Sequence, residues 1–153
     1  MKLAEALMLR TDMQTRLASL KARIAKNTVI QDGEKPNEDP TALIAQANTI
    51  IKERAELIAE INATNQTANI ENQQTLSQLI TKREELTAMH SLLQTAIDAS
   101  SAEHQRYSLT EIKWVTTINI SKLQKQADGL SVKIRKMNLL IQQANWTVDL
   151  IEN

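Results

Sequence analysis

The chain has few of the residues that interrupt or cross-link a fold. Its 153 residues include no cysteine, no phenylalanine, two glycines, two prolines, one tyrosine and two tryptophans. Without cysteine there is no disulfide, no thiolate metal ligand and no cysteine nucleophile. Because glycine and proline are so rare, little interrupts a helix. Because aromatic residues are also rare, leucine, isoleucine and alanine must fill the interior, which favours packed helices over a sheet sandwich. The length suits a single helical domain, residues 1–153.

Charge and hydropathy exclude two further classes. The 18 basic and 18 acidic side chains balance, so non-specific binding to nucleic acid or to an anionic membrane is not indicated. No apolar run approaches the ~18 residues that a transmembrane helix needs, and no leader pattern is seen at the first residues. We therefore expect a cytoplasmic protein without a transmembrane segment.

The last 34 residues carry the strongest pattern in the chain. Apolar residues recur there in alternating steps of three and four, at Ile120, Leu123, Ala127, Leu130, Ile134, Met137, Ile141, Ala144, Val148 and Ile151. This spacing predicts one helix with a narrow apolar stripe that packs against another helix. Ser121 and Gln124 have the spacing of a capping box, which predicts that the helix starts there.

Two other segments show the same period. A stripe from Leu3 to Ile24 predicts a helix over residues 2–27, with Asn27 as its C-terminal cap. A capping box formed by Thr75 and Gln78 predicts another helix, which should run to about Ser100.

A further helix should start at Asp39 and Pro40. Asp39 suits the N-cap position, and Pro40 suits the first helical position, where its missing N–H costs nothing. An apolar stripe runs along this helix as far as Ile61. A second row of apolar residues lies beside it: Ile44, Ile51 and Ile58. Two adjacent rows make a wide apolar face, so this helix should contact more than one neighbour.

The segments between the helices are of two kinds. Residues 62–74 are rich in Asn and Gln and lack periodicity, which predicts a polar loop. The side chains of residues 112–118 alternate with the period of two that is typical of a strand. Every residue of this segment from Val115 onward is β-branched, which also predicts a short strand. Its partner would be the region of Val29, which precedes a tight turn, or the same segment of another copy. A competing capping pattern at Ser108 and Glu111 favours a short helix instead.

These elements predict a mainly α protein. We expect an elongated antiparallel bundle of about four long helices, with a short β-strand or hairpin element before the last helix. Two of the helices carry more apolar face than one narrow bundle can cover. The sequence therefore predicts self-association into a homo-oligomer.

Four ionisable side chains fall in phase with the apolar stripes, namely Arg10, Arg54, Arg83 and His90. Inward cations could form an anion site inside the bundle. Alternatively, they pair with acidic residues of a neighbouring helix and fix its register, or their long side chains reach solvent. His90 and His104 lack the helical spacings of a metal site, and no catalytic motif is present. We therefore expect a non-enzymatic protein without metal or cofactor.

The few aromatic residues suggest an interface. The candidates are the aromatic residues Tyr107, Trp114 and Trp146, together with Ile112, which lies in the same predicted strand as Trp114. Trp has a large apolar ring with a polar tip, as interface anchors often do, while simple packing at the bundle ends is the alternative.

Several sequence blocks resemble those of a known family. They are Met1-Lys-Leu-Ala-Glu-Ala-Leu with Arg10, Gly33-Glu34-x-Pro36 with Glu38-Asp39-Pro40, Arg106-Tyr107 with Glu111-Ile112-Lys113-Trp114-Val115, Leu123-Gln-Lys-Gln, and Asn145-Trp146-x-x-Asp149-Leu150. The chain thus resembles a family of small bacterial cytoplasmic proteins often labelled septicolysin. The label implies a membrane-damaging toxin. The family has no established activity, so the resemblance implies a helical protein of unknown function and no catalytic residues.

Three functions are compatible with these observations. The first is a non-enzymatic, self-associating helical protein that acts through protein–protein contacts. The second is a membrane-active protein, for which residues 1–28, with six basic and two acidic side chains, are the best amphipathic candidate. The third is a small-ligand or metal-binding enzyme that uses the inward Arg and His positions.

Overall fold

The computed structural model describes residues 1–71, 73–101 and 114–152. It contains four long helices: α1 (Leu3–Asn27), α2 (Pro40–Thr67), α3 (Leu76–Ser101) and α4 (Ile120–Thr147). The predicted mainly α class is confirmed. The described residues contain no strand, only two isolated antiparallel bridges, Lys2 with Asp149 and Asn69 with Thr75.

The helix starts follow local capping chemistry. Asp39 caps α2 as predicted, since its Oδ1 accepts a hydrogen bond of 2.9 Å from the amide of Thr41. The predicted start of α4 at Ser121 is wrong by two residues. Asn119 is the cap, because its Oδ1 accepts from the amide of Lys122 at 3.0 Å.

The predicted polar loop over residues 62–74 is wrong in its first half, because α2 continues to Thr67. Thr64 explains the difference. It extends the inner face of α2 by one step beyond Leu57 and Ile61, and it is fully buried. Its Oγ1 donates to the carbonyl of Glu60 at 2.8 Å, so the hydroxyl is satisfied within the helix.

The predicted strand before the last helix is not observed where it can be examined. Residues 114–118 form no strand, and the rest of that segment lies outside the described residues. The region of Val29, one of the two proposed partners, forms no strand either, and a strand without a partner is unstable. The turn after it is present: the amide of Glu34 donates to the carbonyl of Gln31 at 3.1 Å, and Gly33 has a φ of +85°.

The described chain divides into two compact units. Unit 1 comprises residues 1–76 and 143–153, and unit 2 comprises residues 77–142. The assignment of 1–153 to a single domain stays a prediction.

Unit 1 is built on the packing of α1 against α2. Its core cluster consists of Leu17, Leu20, Leu43, Ala47 and Ile50, with Met13 and Ile24 packed against it. These residues occupy the positions of the predicted apolar stripes, so both stripes are confirmed as inward faces. Each well-buried aliphatic side chain contributes about 1.5–3 kcal/mol before the loss of conformational entropy is counted.

A buried amide fastens the α1–α2 connection to α1. Asn27, the last residue of α1, donates from Nδ2 to the carbonyl of Arg23 at 2.8 Å and accepts at Oδ1 from the amide of Glu38 at 3.1 Å. Arg23 in turn binds both carboxylate oxygens of Glu38. The predicted C-terminal cap at Asn27 is wrong by one residue: Thr28 is the C-cap, and Asn27, the last residue of the helix, anchors the following loop.

The first and last described residues of unit 1 are joined. The amide of Leu3 donates to the carbonyl of Val148 at 3.0 Å, and the amide of Leu150 donates to the carbonyl of Met1 at 2.9 Å. The predicted continuation of α4 to residue 151 is therefore wrong. The helix ends at Thr147 because the following backbone pairs with residues 1–3. We call residues 1–3 and 148–152, together with Thr64, the terminal clasp.

Side chains complete the terminal clasp. The buried hydroxyl of Thr64 accepts from the amide of Ile151 at 3.0 Å. Lys2 Nζ lies 2.7 Å from a carboxylate oxygen of Asp149. The hydrogen bond from Lys2 lowers the pKa of that carboxyl below its ordinary value.

Unit 2 contains nearly all of α3 and most of α4. Its buried side chains are Leu79, Leu86, Ile97, Ala127 and Ile141. Every position of the predicted α4 stripe from Ile120 to Ile141 is buried or half-buried, so this part of the prediction is confirmed.

Candidate functional site

Unit 2 carries an apolar groove between α3 and α4. The groove has a volume of about 500 Å³ and is lined by Met89, Leu92 and Leu93 of α3 and by Gln126, Gly129, Leu130 and Lys133 of α4. A concave surface of this size and composition is typical of binding sites.

The helical period explains why these residues line a groove. Leu93 and Leu130 belong to the inward stripes of their helices. Met89 and Leu92 each lie one residue before an inward position, which turns them toward the side of the helix. Leu92 is 71% exposed and Met89 47% exposed. The edge of the groove thus holds two large apolar side chains in contact with solvent.

Gly129 forms part of the opposite wall. A glycine inside a helix costs roughly 1 kcal/mol relative to alanine. Apart from its two chain neighbours and the nearby backbone of its own helix, no atom of the described structure lies within 4 Å of the position that a Cβ would occupy there. Packing among the described residues therefore gives no reason for glycine, and its effect is to leave open space on the α4 wall.

The two walls differ in charge. Helix α4 has five basic residues and one acidic residue, whereas α3 has three acidic and two basic residues. Lys133, which lines the groove, forms no ion pair with a described residue. On α3, Lys82 is paired with Glu85 at 2.8 Å. Among the residues that line the groove, Lys133 carries the only charge, so the α4 wall is positive and the α3 wall is uncharged.

Unit 1 has a groove of another character between α1 and α2. It also measures about 500 Å³, and its lining is mostly polar: Arg16, Ser19, Leu20, Arg23, Gln46, Thr49, Ile50 and Glu53. The Arg23–Glu38 hydrogen bonds raise the pKa of the guanidinium and lower that of the carboxyl. Because Arg23 is paired with Glu38 and the lining contains Glu53 as well as Arg16, this groove does not concentrate charge of one sign.

The four predicted polar candidates fall in different units. Arg10 and Arg54 are half-buried in unit 1, whereas Arg83 and His90 are half-buried on α3 in unit 2. The Nε of Arg54 is buried without a hydrogen-bond partner among the described residues, and Arg83 lies 4.0 Å from Glu84. The anion site stays a prediction. Within the described ranges, no group of three or more His, Asp or Glu side chains is placed to hold a metal ion.

The predicted interface residues can be placed only in part. Trp114 and Trp146 are both largely exposed, whereas Tyr107 and Ile112 lie outside the described residues. The apolar groove was not predicted from the sequence. Its signals were Gly129 in the middle of a strongly periodic helix and Leu92 at the edge of a stripe.

None of the described helices combines the length and apolar character needed to cross a membrane.

The chain is thus an α-helical protein whose second unit carries an open apolar groove. It belongs to a family of unknown function designated DUF6847, whose model matches residues 10–150. The crystal structure of a functionally unknown conserved protein from Corynebacterium diphtheriae is similar to it throughout. The identity is 28%, the TM-score is 0.91, and the match covers 99% of each chain. No curated protein matches the chain. The resemblance to proteins labelled septicolysin stays a prediction.

Proposed function

We propose that the protein is a non-enzymatic, self-associating helical protein that acts through protein–protein contacts. The observation that carries this proposal is the apolar groove, where Met89 and Leu92 face solvent beside an open wall. Exposed apolar surface bordered by polar residues is typical of protein interaction sites.

Sedimentation velocity over a wide concentration range tests the proposal. We expect a mass that is a multiple of 17.2 kDa at tens of micromolar protein, falling toward the single chain on dilution. A mass that stays at 17.2 kDa at all concentrations would contradict it.

The exposed tryptophans offer a second test of where the contact lies. Trp114 is 72% exposed, and a ring of that size is a frequent interface anchor. We expect Trp114→Ala to lower the association state while leaving the helical circular dichroism signal intact. Trp146→Ala is the matched variant in unit 1, and an unchanged mass for both variants would remove the tryptophans from the interface.

A further inference from the structure

We propose that the apolar groove of unit 2 is occupied by the same groove of a second copy, with α3 of each copy facing α4 of the other. This inference rests on the proposed self-association and specifies its site. It follows from the shape of the two groove walls and from the opposite net charges of α3 and α4.

Leu92 and Gly129 give the two walls of the groove complementary shapes. Leu92 protrudes from the α3 wall, and Gly129 leaves open space on the α4 wall of the same groove. A two-fold axis parallel to the groove places the α3 wall of one copy opposite the α4 wall of the other copy, at the same height along the groove. Leu92 of each copy then meets the partner's Gly129, so one knob-into-hole contact is made twice.

This arrangement also accounts for the glycine. The described residues offer no close neighbour that would require it, yet it lowers the intrinsic stability of α4. A side chain from a second copy, seated over Gly129, supplies the missing neighbour. Any side chain at position 129 would then limit how closely the two helices approach.

The direction of the two-fold axis follows from the charges of α3 and α4. Helix α4 as a whole is basic, with five basic residues and one acidic residue, and α3 as a whole is slightly acidic, with three acidic residues and two basic ones. An axis along the groove places each α4 on the partner's α3, which has the opposite net charge, and it brings Lys133, which forms no ion pair with a described residue of its own chain, toward the partner's α3. An axis across the groove would instead set α4 against α4, where like charges repel.

The first experiment compares two exposed leucines of unit 2. Leu92 lines the groove, whereas Leu139, which is 66% exposed on α4, does not. We expect Leu92→Glu to weaken association by about tenfold or more, because a carboxylate would be buried at the contact. Leu139→Glu, with the same change of charge, should leave the association constant unchanged. Both variants should keep the helical signal because both side chains face solvent.

The second experiment tests the pairing itself. Gly129→Leu fills the open space and should weaken association as strongly as Leu92→Glu. The double variant L92A/G129L moves the large side chain to the opposite wall, so we expect it to regain most of the lost affinity. If the double variant associates no better than Gly129→Leu alone, the proposed pairing is overturned.

The outcomes separate this inference from the function on which it rests. If the unmodified protein is monomeric at tens of micromolar, the proposed function fails, and the inference fails with it. If the protein associates and Leu92→Glu has no effect, only the inference fails. Ile51→Glu, on an exposed apolar position of α2 in unit 1, then tests the other apolar face for the contact.

Discussion

The two units consist of similar elements but differ in how their apolar surface is covered. Each is based on long helices with one apolar stripe. Unit 1 adds polar anchors around its core: Asn27 holds a loop, Thr64 holds the backbone at Ile151, and both side chains are buried. Unit 2 instead shows an open apolar groove edged by Met89 and Leu92. The comparison teaches that satisfied buried polar groups identify a surface completed within the chain, whereas an open groove identifies one that a partner can complete.

The largest expected effect concerns the buried part of unit 1. Ile61 is 1% exposed and Ile51, on the same helix, is 49% exposed. We expect Ile61→Ala to lower the free energy of unfolding by about 2–5 kcal/mol, because it leaves a cavity. Ile51→Ala should change it by only about 0.5 kcal/mol. Urea denaturation of dilute protein measures both, and equal losses would show that the burial difference is not real.

The polar anchor at Thr64 should have the next largest effect. Thr64→Val keeps the shape of the side chain but removes the acceptor for the amide of Ile151. We expect a loss of about 1–3 kcal/mol, the cost of a buried donor without a partner. Thr67→Val is the control, since Thr67 is exposed and its hydroxyl bonds only within α2. Faster hydrogen exchange at Ile151 in Thr64→Val alone would locate the effect at the terminal clasp.

The two glycines should respond in opposite directions. Gly129→Ala should stabilise dilute protein by about 0.5–1 kcal/mol, because the helix gains propensity and the added Cβ meets nothing within 4 Å. Gly33→Ala should destabilise it by about 1 kcal/mol, because the φ of +85° is unfavourable for alanine. Thermal unfolding of both variants decides the signs. A destabilising Gly129→Ala would mean that α4 needs glycine within the single chain.

The smallest expected effect is the acid sensitivity of the terminal clasp. The folded-state pKa of Asp149 is lowered by Lys2, so this pair adds stability above the ordinary carboxyl pKa of about 4. That contribution is lost as the pH falls through the lowered value. We expect Asp149→Asn to be slightly less stable than the unmodified protein at neutral pH and equally stable in strong acid. A difference that does not depend on pH would exclude the ion pair as its cause.

The helices could be predicted from the sequence because their causes are local. The stripe from Leu3 to Ile24 and the Asp39–Pro40 start depend on spacing and capping within a few residues. Both agree with the structure. The end of α4 could not be predicted in this way. Val148 and Ile151 fit the helical period, but their backbone pairs with residues far away in the sequence.

The candidate site was harder to predict for a related reason. Which side of α3 meets α4 depends on how the two helices pack, and the period alone does not say which edge of a stripe stays open. The spacing of apolar residues thus gave Leu92 no special position. Trp114, a predicted interface residue, is largely exposed, and the described part of its segment does not form the predicted strand.

The terminal clasp also bears on the order in which the chain folds. Its ion pair between the N-terminal amine of Met1 and Glu152 joins residues separated by 151 positions. Closing a flexible loop of that length costs about 4 kcal/mol of chain entropy, whereas each helix forms from neighbours along the chain. We therefore expect the helices to form first and residues 1–3 and 148–152 to meet late. Protection of the Leu150 amide in pulsed hydrogen exchange would then mark the moment at which unit 1 is complete.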